Sequence, residues 1–183
     1  MIGILGGMGT QAGLDFSTKL AKLYRGKLDQ KYPLFVLYNK SNVPKRLSDK
    51  KVYKKILKSL LEGCIFLQKN SCKFITIPCN TAHHWYEDLK KKVRIPILSM
   101  PKEVFAFAKK NCSSGSKIGI LATESTLRTR IYHKFFDKKY KLIEPTLKLQ
   151  KRCVNKSIIL VKKGKVKVAI DARLVFNLGS EKL

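Results

Sequence analysis

The chain has 183 residues, 44% hydrophobic and 28% charged, which suits one substantial globular domain or two small ones that share a core. Its 39 Lys and Arg residues against 12 Asp and Glu give a formal net charge of +27, but the lysines are scattered without an RNA-binding motif, so nucleic acid is disfavoured as a partner. The sequence has no apolar run long enough to span a membrane and no signal-peptide pattern at its start. Its five cysteines are an odd number without CxxC spacing, which argues against a disulfide framework and a zinc site. Together these observations favour a cytoplasmic location.

The first predicted elements are a buried strand at residues 1–5, a glycine-rich turn at residues 6–10 and a helix at about residues 11–25. The apolar stripe of this helix is predicted to contain Leu14, Thr18, Ala21 and Leu23. A strand, a glycine turn and a helix can cradle an anion, although these glycines match neither the P-loop nor the dinucleotide-binding spacing. The turn is therefore either an anion site or a structural turn.

A second strand is predicted at residues 34–38, and a loop that contains Arg46 follows it. An arginine on a loop after a parallel strand can clamp a carboxylate with its planar guanidinium, and the alternative is an ordinary surface arginine. Residues 52–70 then predict a long amphipathic helix. Its inward face is predicted to contain Ile56, Leu60, Leu61, Cys64 and Leu67.

Cys79 follows a third predicted strand, at residues 73–77, and precedes a helix. Ligands of open α/β sheets bind at the carboxyl ends of strands, and unpaired N–H groups at a helix start favour a thiolate over a thiol. Asn80 and Thr81 add polar side chains beside it. The pattern favours a reactive cysteine, and the alternative is a small buried hydrophobic residue.

The rest of the chain repeats this arrangement. Further elements are predicted as a strand at 95–98, a helix from Pro101 to Asn111, a strand from Lys117, a helix at 126–138, a strand at 141–145 and helices at 147–163 and 166–178. The tetrapeptide Ile-Gly-Ile-Leu occurs at residues 2–5 and again at 118–121, each time before a polar turn that ends in threonine. The echo predicts two similar subdomains, 1–115 and 116–183, with the helix at 101–111 able to cross over.

Four motifs in this order resemble the aspartate/glutamate racemase family, most closely its cofactor-independent aspartate racemase branch. They are Gly-Gly-Met-Gly at 6–9, Val-Pro-Lys-Arg at 43–46, Pro-Cys-Asn-Thr-Ala-His at 78–83 and Leu-Ala-Thr-Glu-Ser-Thr at 121–126. The resemblance implies an α/β fold of two pseudo-symmetric parallel-sheet subdomains with flanking helices. It also implies an active site in the cleft between them.

The resemblance further implies an isomerase that uses neither metal nor pyridoxal phosphate. Two cysteines, one from each subdomain, would act on opposite faces of the α-carbon of aspartate or glutamate. A homodimer is an open possibility, since family members commonly pair.

The family's site residues carry over by position, with Cys79 matching the first catalytic cysteine. The substrate-binding residues implied in this way are Met8, Gly9, Thr10, Arg46, Asn80, Thr81, Thr123 and Lys162. Thr10 replaces a more usual proline, Lys45 replaces an acid, and Lys163 is the near alternative to Lys162. His83 belongs to the family motif, whereas His84 is expected to be exposed.

The family's second cysteine lies in a Gly-Cys-Thr-Glu turn that this sequence does not contain. The internal echo and the family pattern both place that turn after residue 183, so the second subdomain is expected to be incomplete at its C-terminal strand and the activity impaired. The alternatives are an inactive remnant that binds a small dicarboxylate and, less favoured, a basic protein that binds polyanions.

Overall fold

The computed structural model describes residues 1–24, 28–45, 50–136 and 138–165. Within these ranges the β-strands are β1 (Ile2–Gly6), β2 (Phe35–Asn39), β3 (Phe74–Thr76), β4 (Lys117–Gly119) and β5 (Lys141–Ile143). The α-helices are α1 (Thr10–Leu23), α2 (Lys50–Lys69), α3 (Tyr86–Lys92), α4 (Met100–Asn111), α5 (Glu124–Arg128), α6 (His133–Phe136), α7 (Leu147–Leu149) and α8 (Asn155–Lys162). The predicted helix at 166–178 lies outside the described residues.

The first sheet has the strand order β2-β1-β3, and all of its pairs are parallel. In this register Ile2 lies between Phe35 and Phe74. The predicted strand at 95–98 contributes only a single parallel bridge, between Ile97 and Ile75. Parallel strands flanked by helices, with most of β1 and β3 buried, confirm the predicted α/β class.

Helix α2 covers one face of this sheet. Four residues of its predicted inward face, Ile56, Leu60, Cys64 and Leu67, have no exposed surface. Leu61 lies at the edge of that face and is half-buried. The spacing of three to four residues therefore located the core-facing side of this helix correctly.

The predicted face of α1 is wrong by one residue. Leu14 and Leu23 are 46% and 82% exposed, whereas Gly13 is buried. A Cβ atom on Gly13 would lie only 3.4 Å from the Cα of Gly6 and 3.3 Å from a methyl carbon of Leu37. The close approach of two glycines fixes the rotation of this helix on the sheet, and apolar spacing alone does not reveal it.

The second sheet pairs β4 with β5 in parallel, with Ile118 opposite Leu142. A separate apolar cluster of Ala108, Phe136 and Tyr140 packs beside it. The Tyr140 hydroxyl donates a hydrogen bond to the Ala108 carbonyl at 3.3 Å, so helix α4 packs with this cluster. The division into subdomains near residue 115 stays a prediction.

Two predicted helices of the second region are interrupted. The helix predicted at 126–138 divides into α5 and α6, because Arg130 between them has the left-handed φ of 51°. The helix predicted at 147–163 contains a π-helical turn, Gln150–Val154, between α7 and α8. None of the helices in the described ranges is long and apolar enough to cross a lipid bilayer.

Gly7 brings the turn after β1 against the loop after β2. Its φ is +89°, and a Cβ atom there would lie 2.3 Å from the carbonyl carbon of Lys40. Side chains tolerate neither this conformation nor this distance. At Gly7 the turn at residues 6–10 is therefore a structural contact between two loops, and its role as an anion site stays a prediction.

The variant Gly7→Ala is expected to lose at least about 3 kcal/mol of unfolding free energy, because backbone strain and a steric clash add together. Gly115→Ala is the matched control, since Gly115 has a φ of +83° and a Cβ atom there would have no neighbouring atom within 4 Å. That control is expected to lose only about 1 kcal/mol. Urea unfolding measures both, and equal losses would contradict the importance of the Gly7–Lys40 approach.

Candidate active site

A cavity of about 590 Å³ lies at the carboxyl ends of β1, β3 and β4, beside helix α8. Its described lining residues are Met8, Gly9, Gln11, Ala12, Lys45, Pro78, Cys79, Asn80, Thr81, Leu121, Ala122, Thr123, Ser125, Ser157, Ile158, Val161 and Lys162. Parallel strands bring the loops at their carboxyl ends together, which explains why residues so distant in sequence share one wall.

Most of the residues singled out from the sequence meet in this cavity. Those that line it are Met8, Gly9, Cys79, Asn80, Thr81, Thr123 and Lys162. Thr10 is the first residue of α1 and is not among the lining residues, and neither is Lys163. Arg46 lies outside the described residues, although its neighbour Lys45 reaches the cavity.

Cys79 is a half-buried free cysteine on the loop after β3. Its backbone N–H donates to the Ile77 carbonyl at 2.6 Å, which folds the chain back at the strand end. Thr81–Trp85 forms a 3₁₀ turn after it, and the predicted helix follows as α3 from Tyr86. Cys79 thus lines the cavity from a tight turn, and it also packs against the hydrophobic core.

His83 ties this turn to the start of α4. Its Nδ1 lies 2.9 Å from the Cys79 carbonyl oxygen, and its Nε2 accepts the Met100 backbone N–H at 3.0 Å. Because Met100 can only donate, the imidazole is neutral and carries its proton on Nδ1. Burial lowers the pKa of His83 below its ordinary value.

His84 is half-buried rather than exposed as expected. Its ring packs edge-on against Tyr53 and Trp85, with ring centroids 5.5 Å and 5.0 Å apart. The 3₁₀ turn causes this difference, since it directs the two adjacent histidines to opposite sides of the segment. His84 therefore packs against Tyr53 and the buried Trp85, whereas His83 contacts the Cys79 backbone.

Three threonine hydroxyls form a closed ring beside the cavity. Thr81 Oγ1 lies 3.0 Å from Thr123 Oγ1 and 2.9 Å from Thr126 Oγ1, and the last two are 3.0 Å apart. Thr123 also caps helix α5 by accepting the Thr126 backbone N–H at 3.2 Å. The ring joins the loop after β3 to the loop after β4.

A second contact across the cavity wall involves Tyr132 and Asn80. The Tyr132 hydroxyl donates to Asn80 Oδ1. Burial raises the pKa of Tyr132 to about 12, so this hydroxyl stays a donor at neutral pH. Asn80 is therefore held with its amide oxygen occupied, and its NH₂ group remains the end that can donate.

Polar contacts hold helix α8 against the loop after β4. Gln150 Nε2 donates to the Ala122 carbonyl at 2.9 Å and to Asn155 Oδ1 at 2.8 Å. Asn155 in turn donates to Glu124 Oε1 at 2.8 Å. These contacts fix the helix that carries Ser157 and Lys162 into the cavity wall.

The charge of the cavity is positive. Lys45 and Lys162 line it, and none of its described lining residues is Asp or Glu. Two lysines at the wall favour an anionic ligand.

Some lining residues were missed from the sequence. Ile158 lies four residues before Lys162 on the same helix face, so helical spacing could have found it once Lys162 was chosen. Thr126 does not line the cavity but belongs to the threonine ring, and it could have been found as the third residue after the helix-capping Thr123. Lys45 was noted only as a departure from the family pattern.

The other four cysteines lie away from this cavity. Cys64 and Cys72 are buried, Cys112 is exposed, and Cys153 is half-buried in the π-helical turn. Burial raises the pKa of the Cys64 thiol to about 12, so that residue remains an inert part of the core. Among the described residues no group of three or more His, Cys, Asp or Glu side chains is arranged to hold a metal ion.

The buried neutral His83 predicts a loss of stability in acid. Because its pKa is lowered in the folded state, the unfolded chain binds more protons below about pH 6.5. Its contribution is complete above that pH and is lost as the pH falls from there through the lower folded-state pKa. Urea unfolding between pH 8 and pH 5 is expected to show a fall in unfolding free energy that is weaker in His83→Gln.

His84→Gln is the matched control, since burial also lowers the pKa of His84, but that residue makes no contact with the Cys79 turn. It is expected to retain more of the acid sensitivity than His83→Gln. A pH dependence that is identical in the wild type and in His83→Gln would contradict the assigned neutral state.

A sequence model of the Asp/Glu/Hydantoin racemase family matches residues 5–173. The chain is 32% identical over 139 residues to the broad specificity amino-acid racemase RacX of Bacillus subtilis, across 73% of this chain and 59% of RacX. It is 30% identical over 113 residues to a glutamate racemase of Streptococcus pneumoniae, across 61% of this chain and 41% of that protein. The chain thus spans less than two thirds of the length of either relative.

The fold resembles that of the Picrophilus torridus aspartate racemase, with a TM-score of 0.78 and 25% identity over 93% of this chain and 71% of that one. A Pyrococcus horikoshii aspartate racemase homologue shares the fold, with a TM-score of 0.67 at 21% identity, over 83% of this chain and 69% of that one. Since the family match covers nearly the whole sequence, the chain belongs to the Asp/Glu/Hydantoin racemase family.

Proposed function

We propose that this chain carries one half of the acid–base machinery of an amino-acid racemase, with Cys79 as the residue that removes the α-proton. The observation that supports this most directly is a half-buried thiol in a cavity whose charged wall residues are lysines. Family membership and the similarity to RacX support an amino acid as the substrate. The proposed reaction needs no cofactor.

The preferred substrate is proposed to be aspartate or, alternatively, glutamate. An acidic amino acid carries two carboxylates, and Lys45 and Lys162 approach the cavity from different elements. The Asn80 amide and the hydroxyls of Thr81 and Thr123 are neutral hydrogen-bonding groups of residues that line the same cavity. The similarity to an aspartate racemase and to a glutamate racemase is consistent with both substrates.

The proposed chemical step is a proton transfer between carbon and sulfur. The Cys79 thiolate takes the α-proton, the S–H bond forms, and the electron pair of the broken C–H bond moves into the α-carboxylate. Hydrogen-bond donors and lysines around that carboxylate stabilise the developing charge. Returning a proton from the same sulfur restores the original enantiomer.

Inversion requires a second acid–base group on the opposite face of the α-carbon. None of the other four cysteines lines the cavity, and all four lie within the described residues. We infer that the residues described here supply proton transfer on one face only. The second group would come from residues outside the described ranges or from a partner chain.

The test is deuterium incorporation at Cα of L- and D-aspartate in D₂O, followed by proton NMR. Exchange of one enantiomer is expected to be much faster than its inversion. Cys79→Ala is expected to lower the exchange rate by at least about 100-fold, because the base is removed.

Cys112→Ala is the control, since Cys112 is exposed and distant from the cavity wall. It is expected to exchange at the wild-type rate. Exchange that persists in Cys79→Ala would contradict the assigned base, and equal rates of exchange and inversion would contradict one-face transfer. Aspartate binding without exchange, in a folded protein, would favour a dicarboxylate-binding protein instead.

A further inference from the structure

We propose that Thr126 is a positioning residue that directs the Thr81 hydroxyl, through the ring that both form with Thr123, at a ligand carboxylate in the cavity. The nature of the ligand rests on the proposed function, whereas the positioning itself does not. Thr126 is 1% exposed and is not among the residues that line the cavity. Its two ring partners do line it, one from each sheet's loops.

The three distances of 2.9 to 3.0 Å leave each hydroxyl with two hydroxyl neighbours. Each threonine hydroxyl has one hydrogen to donate and two lone pairs to accept. Three hydrogens close the ring, with each oxygen donating once and accepting once. Thr123 uses its second lone pair for the Thr126 N–H, so Thr123 is fully occupied in the closed ring.

A carboxylate that enters the cavity can only accept hydrogen bonds, so it must draw a hydrogen from this ring. If Thr81 donates to the ligand, Thr126 can still donate to Thr81 and Thr123 to Thr126. One neutral bond is exchanged for a stronger charge-assisted bond, and the remaining chain of hydroxyls is polarised toward the ligand. The hydroxyl of Thr126 is what keeps this chain connected.

Removal of that hydroxyl leaves Thr81 and Thr123 with a single bond between them. Thr126→Val has nearly the same shape, so the packing at this buried position is preserved while the ring is broken. The Thr81 side chain then loses one of the two partners that select its rotamer, whereas Thr123 still accepts the backbone N–H of residue 126. Thr126→Ser restores the hydroxyl and is expected to restore the fixed rotamers.

Thr129→Val is the matched control. The Thr129 hydroxyl donates to the Ser125 carbonyl at 2.9 Å and to the Thr126 carbonyl at 3.1 Å, near the same helix but outside the ring. Its loss removes a threonine hydroxyl from the same segment without touching Thr81 or Thr123. It is expected to change neither rotamers nor ligand affinity.

The first readout is the χ1 angle of Thr81, measured by NMR three-bond couplings in the protein without ligand. A single Thr81 rotamer is expected in the wild type, Thr126→Ser and Thr129→Val, and averaging of the Thr81 rotamers in Thr126→Val. A single rotamer in Thr126→Val would overturn the proposal. Thr126→Ala provides a second hydroxyl-free variant, judged by the same couplings, in case Thr126→Val does not fold.

The second readout is the concentration dependence of deuterium exchange into aspartate. Thr126→Val is expected to raise KM about tenfold with little change in kcat, because Thr126 touches no reacting atom. An unchanged KM in a variant with averaged rotamers would overturn the link to the ligand. If the wild type exchanges no amino acid, the proposed function fails, and the rotamer measurement still decides whether Thr126 positions its neighbours.

Discussion

Three threonine hydroxyls hold the loop after β3 against the loop after β4, and the shape of the cavity depends on this contact. The two loops follow strands of different sheets, so no pairing of described strands joins them. A hydrogen bond in a protein contributes only about 1 kcal/mol. The three hydrogen bonds of the closed ring form together only in one relative placement of the two loops, because the threonine side chains are short. The ring therefore fixes that placement.

Two groups of residues surround the threonine ring. One group holds the loops in place, and the other remains available to a ligand. His83, Tyr132 and Gln150 use buried or half-buried polar groups to fix the Cys79 turn, Asn80 and the loop after β4. Cys79 and Lys162 face the cavity without such a role. Sites for proton transfer to carbon need this division, because small displacements of the base or of the charged partners change rates steeply.

The sequence predicted the parts of the fold that depend on local patterns. Apolar runs located β1, β2 and β3, and spacing located the buried face of α2. The face of α1 was missed because a glycine–glycine approach decides it, and the break at Arg130 was missed because no glycine or proline marks it. Seven proposed site residues share the cavity, but Thr126 was not predicted as part of the site, since its ring partner Thr81 lies in a distant segment.

Cys79 lines the cavity that we propose binds an acidic amino acid, and the proposed function depends on this placement. The most direct measurement is iodoacetamide labelling of each cysteine, read by mass spectrometry, with and without aspartate. Cys79 is expected to react in the free protein and to be protected by aspartate, whereas exposed Cys112 reacts equally in both and buried Cys64 reacts in neither. Labelling of Cys79 that is unchanged at saturating aspartate and glutamate would contradict the proposal.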